Sequence, residues 1–185
     1  MTDTTRRRKL LVATPAIGDE RFARTVILLI EHGEIGAMGI VLNRPTEIPL
    51  AEVLPQWAER SIEPPVLFRG GPVDSSVAVA LASASRPDEP YGFTPLFDGL
   101  GVVDLSSDAP RTNADIDRIR VFSGYAGWSA DQLDGELEVG AWFQLDAHAE
   151  DPFIDDPDLL WERVLRRQGG KYLMYANYPS DPSLN

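Results

Sequence analysis

Residues 25–45 read TVILLIEHGEIGAMGIVLNRP. Thr25 to Glu31 is a β-branched apolar run bounded by Gly33. A run apolar at successive rather than alternate positions implies that both faces are covered, which predicts a central strand. After Gly33-Glu34-Ile35-Gly36, the stretch Ala37 to Leu42 predicts a second strand, and the pair reads as a hairpin. Strands and helical stretches interleave irregularly around this hairpin. The expected class is therefore α+β with a mixed or mainly antiparallel sheet, not a doubly wound parallel one.

Working outward, Leu10 to Ala13 predicts a short strand ended by Pro15, and Asp19-Glu20-Arg21-Phe22 a polar turn. Leu50, Val53, Leu54 and Trp57 fall on one face of a helix over Pro49–Glu59, which Pro55 should kink or shorten. Val66 to Phe68 and Val77 to Leu81 predict strands joined through Arg69-Gly70-Gly71-Pro72. Residues 83–99, rich in Ser, Pro, Gly and Asp, predict a long surface loop. Gly101 to Leu105 predicts a strand, Asn113 to Arg118 a helical turn, and Ile119 to Tyr125 a strand again. Ser129-Ala130-Asp131-Gln132 has the spacing of a capping box. Ala141 to Leu145 is a further strand, and Asp156-Pro157 should open a last helix that Gly169 closes. The expected layout is a disordered basic arm at 1–8, one domain over 9–178 and a flexible tail at 179–185.

Composition bounds the function. The chain has 185 residues, 43% of them hydrophobic, and a formal net charge of -12. Phosphate backbones and anionic membrane surfaces attract Lys and Arg, so direct nucleic-acid binding is disfavoured for so acidic a chain. With no Cys, disulfides, iron–sulfur clusters, thiolate zinc sites and cysteine nucleophiles are all excluded. The apolar runs at 10–13 and 26–30 are too short for a secretory signal or a membrane span, and cytoplasm is the expected location.

Two glycine-punctuated segments could carry chemistry. In the first, residues 31–45, the glycines suggest a tight reversal and then a strand that something approaches closely at Gly39. Asn43-Arg44-Pro45 at the strand end could hold a carboxylate or phosphate through the guanidinium fork. The plainer reading has Asn43 closing a turn and Arg44 pairing with a local acid. The second, residues 122–136, reads as a strand meeting a helix N-terminus across a glycine-rich turn. Trp128 could stack on a planar ligand there, and Gln132 and Glu136 share a helix face. Trp128 serves equally well as a core ring.

Enzyme templates find little. His32 and His148 are the two histidines, so a three-His metal site is excluded. Ser123 is not in a G-x-S-x-G elbow, because residue 121 is Val. The acidic run Asp146, Glu150, Asp151, Asp155, Asp156, Asp158 lacks a calcium-loop pattern and reads as a solvated face. Arg163, Arg166, Arg167 and Lys171 read as complements of a helix C-terminus.

Taken in order, several motifs coincide: Leu11-Val12-Ala13-Thr14-Pro15 with Asp19 and Phe22; Gly36-Ala37-Met38-Gly39-Ile40-Val41-Leu42-Asn43-Arg44-Pro45; Gly70-Gly71-Pro72-Val73; and Gly124-Tyr125-Ala126-Gly127-Trp128 with Gln132-Leu133 and Glu136. Over roughly residues 9–175 the chain resembles the AlgH/YqgE family of small bacterial proteins, whose biochemical activity is not established. The resemblance implies an α+β fold with a split sheet curling into a partial barrel and a few short helices packed on it. Members often carry the label of transcriptional regulator, which the acidic charge and missing DNA-reading motif oppose here.

The leading expectation is a non-enzymatic binding or regulatory protein acting through a small ligand or a protein partner. Its candidate ligand residues are Asn43, Arg44, Gly70, Gly71 and Gly124, together with Gly127, Trp128, Gln132 and Glu136. No catalytic residue, metal ligand or cofactor is assigned, and the oligomeric state is open. One rival is a hydrolase using His32 or Glu136 as base in a cleft between the two glycine segments. The other is a regulator acting directly on DNA.

Overall fold

The computed structural model describes residues 8–85 and 91–177. The expected arm at 1–8 falls almost wholly, and the tail at 179–185 entirely, outside the described residues. The predicted hairpin is present: β2 (Val26–Gly33) and β3 (Gly36–Val41) pair antiparallel across Glu34-Ile35. β1 (Lys9–Ala13) pairs with β2 on its other side, so β2 is central, as its apolar run requires. Val26 and Leu28 face one way, into a core closed by Leu160, Trp161, Val164 and Leu165. Ile27 and Leu29 face the other, toward Trp128, Leu133 and Trp142. Successive side chains of a strand point to opposite faces, so one segment feeds both cores.

β4 (Pro45–Pro49) pairs with β5 (Val66–Arg69). The predicted helix between them splits at Leu54-Pro55 into α1 (Leu50–Val53) and a 3-10 turn over Pro55–Arg60. β6 (Val73–Ser83) follows Gly70-Gly71. Residues 83–99 are not one long loop. β7 (Phe93–Phe97) pairs with β8 (Leu100–Val103) across Asp98-Gly99, both at positive φ. Asp-Gly is a strong hairpin turn, and Pro95 is tolerated because β7 lies at the sheet edge. Residues 86–90 of that stretch lie outside the described residues.

The helical turn expected at 113–118 lies earlier, as α2 (Ala109–Asn113). Asp108 caps it by accepting the Arg111 N–H, and Arg118 already opens β9 (Arg118–Ser129). β9 joins two halves of the sheet. Its first part pairs with β6 antiparallel and with β5 in parallel, and its last part, Ala126 to Ser129, pairs with β3. With β10 (Trp142–Asp146) beside β1, the strand order is β10-β1-β2-β3-β9-β6-β8-β7. The result is a curled, mainly antiparallel half-barrel with short helices on it, as expected.

The second glycine segment differs from its reading. The strand runs straight through Gly124 and Gly127, and the turn comes later, at Asp131, with φ 62. α3 (Gln132–Glu138) therefore starts at Gln132, and Ser129 is not its N-cap. Half of the capping-box exchange survives, as the Gln132 side chain accepts the Ser129 N–H at 3.1 Å. Asp156-Pro157 opens a 3-10 turn before α4 (Leu160–Gln168), which Gly169 ends at φ 70; α5 (Tyr172–Ala176) follows. The basic stretch on α4 is largely paired: Arg166 with Glu162 at 2.6 Å, and Arg167 with buried Asp151 at 2.6 Å. The Arg167–Asp151 pair, with Lys9–Asp146 and Arg118–Glu150, engages three residues of the acidic run. Among the described residues no group of three His, Asp or Glu is placed to hold a metal, and no helix is long and apolar enough to cross a membrane.

Candidate functional site

Gly70, Gly71 and Gly124 form a backbone crossing. A Cβ on Gly70 would lie 2.3 Å from the Gly124 carbonyl oxygen, and one on Gly71 would lie 2.0 Å from the Tyr125 carbonyl carbon. Gly124 has φ +72, and a Cβ there would lie 2.7 Å from the Gly71 carbonyl oxygen and 2.8 Å from that of Val73. The Gly70 N–H donates to Ser123 and its carbonyl accepts from Val41, so this crossing stitches β9 to the end of β3. Contacts this short exclude any side chain.

Asn43 is buried and committed to the same end of the hairpin. Its Oδ1 accepts the Val26 N–H and its Nδ2 donates to the Arg24 carbonyl, each at 2.9 Å. Arg44 is half-buried beside it and donates to the carbonyls of Asn43 and Ala23. Burial pulls its pKa below the usual arginine value, partly offset by the charge of Asp158. It makes no ion pair at contact distance among the described residues.

Arg44 opens onto a cavity of about 240 Å³ lined also by Arg21, Phe22, Val41, Arg69, Gly71 and Pro72. A neighbouring cavity of about 380 Å³ is lined by Asp19, Gly127, Trp128, Gln132, Glu136 and Trp142. Arg21, Phe22 and Pro72 line both, so the two cavities adjoin in a two-part groove. At its acidic end, Glu136 Oε2 accepts the indole N–H of Trp128 at 2.9 Å and of Trp142 at 2.7 Å. Glu136 Oε1 accepts from Gln132 at 3.0 Å. Trp128 and Phe22 both pack edge-on against Trp142, so the indoles form wall rather than a free stacking plate. Asp19 holds Arg21 in a two-pronged pair that lowers the Asp19 pKa, chiefly through the side-chain hydrogen bonds.

His32 lies elsewhere. An extra residue between Leu29 and Glu31 bulges β2, so His32, not Glu31, stands opposite Ala37 and shares a face with Trp128. Its ring lines a separate cavity of about 170 Å³ with Gly36, Ser129, Asp131 and Asp134. Its Nε2 is 3.9 Å from Asp134, its Nδ1 has no partner among the described residues, and the Ser129 hydroxyl donates to Gln132. His32 and Glu136, the two bases named for a hydrolase, thus occupy different cavities.

Of the nine candidate residues, Trp128, Gln132, Glu136, Gly127, Arg44 and Gly71 line the groove. Asn43 is turned into the backbone, and Gly70 and Gly124 form its supporting crossing. Sequence reasoning missed Arg21, Phe22, Arg69, Pro72 and Trp142 as lining residues. Asp19 and Phe22 were visible as motif positions, but no local spacing links them to residues more than a hundred positions later.

A family model described as AlgH-like matches residues 10–173. The chain belongs to the AlgH-like family. A UPF0301 protein of Thermobifida fusca is 45% identical, with 95% of this chain and 93% of that one covered. One from Streptomyces coelicolor is 44% identical, covering 96% and 94%. Among solved structures, a Corynebacterium diphtheriae protein matches with TM-score 0.85 at 29% identity, over 96% of this chain and 95% of that one. The AlgH protein of Pseudomonas aeruginosa matches with TM-score 0.69, also at 29% identity, over 95% of each. This AlgH-like chain therefore shares its fold with the two solved structures over nearly its whole length.

Proposed function

We propose that this protein binds a small ligand in the groove between Arg44 and Glu136 and acts through that occupancy rather than through catalysis. The observation that carries the reading is the adjacency of the two cavities, which share Arg21, Phe22 and Pro72. Apolar walls with a few placed polar groups are the usual make-up of ligand sites. The hydrolase alternative draws no comparable support. Among the described residues no nucleophile is hydrogen-bonded to His32, and Glu136 already accepts three neutral N–H groups.

Gly127 supplies the test. It lines the groove, and a Cβ there would meet its nearest neighbour at an ordinary 3.6 Å. Gly127→Leu should therefore fill the groove while costing less than about 1 kcal/mol of stability. Metabolite screening by tryptophan fluorescence and calorimetry should yield a ligand for the wild type that this variant no longer binds. Equal binding by the variant places the ligand elsewhere and sinks the proposal.

A further inference from the structure

The basic end of the groove is out of keeping with the rest of the chain. Among 17 Lys and Arg set against 29 Asp and Glu, three arginines line a single cavity of about 240 Å³, and no carboxylate lines it with them. Asp19 neutralises one of them, Arg21. Arg44 is held by two backbone carbonyls, which orient its guanidinium; the charge of Asp158 acts on it, but without an ion-pair contact among the described residues. Arg69 is exposed, makes no side-chain hydrogen bond or ion pair among the described residues, and is tied to Arg44 through the backbone: its N–H donates to the Arg44 carbonyl at 2.8 Å. Phe22, Val41 and Pro72 wall the space between them. Apolar walls lower the local dielectric and strengthen attraction for an incoming charge. Guanidinium forks suit carboxylate and phosphate oxygens better than any other partner.

We infer that the ligand is a small organic anion whose carboxylate or phosphate head sits between Arg44 and Arg69 and whose body extends past Phe22 and Pro72 toward Glu136. This rests on the groove being the ligand site and adds the chemistry of its occupant. The far end, with Glu136, favours a body that carries hydrogen-bond donors rather than a second negative charge.

The test uses four probes, phenyl phosphate, benzoate, inorganic phosphate and uncharged benzyl alcohol, against wild type, Arg44→Gln and Arg69→Gln. Binding is read by tryptophan fluorescence and by NMR shifts of the arginine Nε–H and indole signals. Phenyl phosphate or benzoate should bind, at least about tenfold more tightly than benzyl alcohol, with each substitution weakening the anion about tenfold and added salt weakening it further. Whichever of the two binds better names the head group, and inorganic phosphate binding as well as phenyl phosphate would confine recognition to the head. Arg69→Gln alters an exposed side chain, so it reports on binding even if Arg44→Gln fails to fold. Benzyl alcohol binding as tightly as the anions, or anion binding unmoved by Arg69→Gln, overturns the anionic head and leaves the groove proposal standing. Silence of the groove's indole and arginine signals toward all four probes at millimolar concentration counts against both.

Discussion

Arg120 and Arg44 invite comparison, because each is a desolvated arginine held by backbone carbonyls. Arg120 is 2% exposed, donates to the carbonyls of Pro152, Ile154 and Glu63, and lies over the face of Phe68. Burial brings its pKa down to about 10, against some opposing help from Asp155. Arg44 has two carbonyl partners and one open side, facing a cavity. The chemistry is alike, but the geometry differs. A guanidinium sealed on every side ties segments together, whereas one with an open side keeps donors and charge for a ligand.

Four substitutions or titrations press on that contrast, beginning with the largest expected effect. Arg120→Met takes a fully desolvated guanidinium from the carbonyls of Pro152, Ile154 and Glu63, so urea denaturation should show a loss of about 3 kcal/mol. Ligand affinity of the protein that remains folded should not change; a parallel loss of affinity would erase the distinction between the two arginines. Asn43→Ala strands the Val26 N–H and the Arg24 carbonyl in a buried position and should cost about 2 kcal/mol. Hydrogen exchange at Val26 should then speed up, while binding falls far less than with Arg44→Gln. Arg44→Met should cost only about 1 kcal/mol, because the carbonyls it leaves can reach water on the open side. Its effect should appear in anion affinity, which calorimetry measures. A loss as large as that of Arg120→Met would mean that Arg44 is as structural as its counterpart.

The smallest effect concerns pH. Hydrogen bonds from Arg21 hold the Asp19 pKa below its ordinary 3.8. The stabilisation from this pair is thus present above the unfolded-state value and is lost as pH falls through the depressed folded value. Carboxyl NMR should place the Asp19 midpoint below 3.8, and Arg21→Gln should return it upward. A midpoint unaffected by that change would remove Arg21 from the groove's charge balance.

Much of the scaffold was legible, and the reason is local. The uninterrupted apolar run at 26–30 gave a central strand, the Gly33–Gly36 stretch a hairpin, and Gly169 a helix end. The second glycine segment was misread because glycine marks both a tight turn and a close backbone approach. At Gly124 the answer depends on Gly70 and Gly71, more than fifty residues earlier, whose backbone lies against it. Arg120, inside an apolar strand, likewise gave no sign of its burial, because its three acceptors come from residues 63, 152 and 154. For the candidate site, the sequence named Trp128, Gln132, Glu136 and Arg44, but not the Arg21, Phe22 and Pro72 that join them.

By itself, then, the sequence determined the α+β class, the antiparallel hairpin at the centre of the sheet, the absence of thiol chemistry and the family motifs. These follow from hydrophobic periodicity, turn chemistry and residue inventory, which act over a few residues or none. Tertiary structure alone decided that Asp19, Arg21, Phe22, Arg44, Arg69, Pro72, Trp128 and Glu136 line two adjoining cavities. It also decided that Asn43 holds backbone, and that the bulge at Ile30 turns His32 toward Asp134 instead. A cavity is what packing leaves between segments distant in the chain. Its shape and the desolvation of its charges come from contacts that no local pattern encodes.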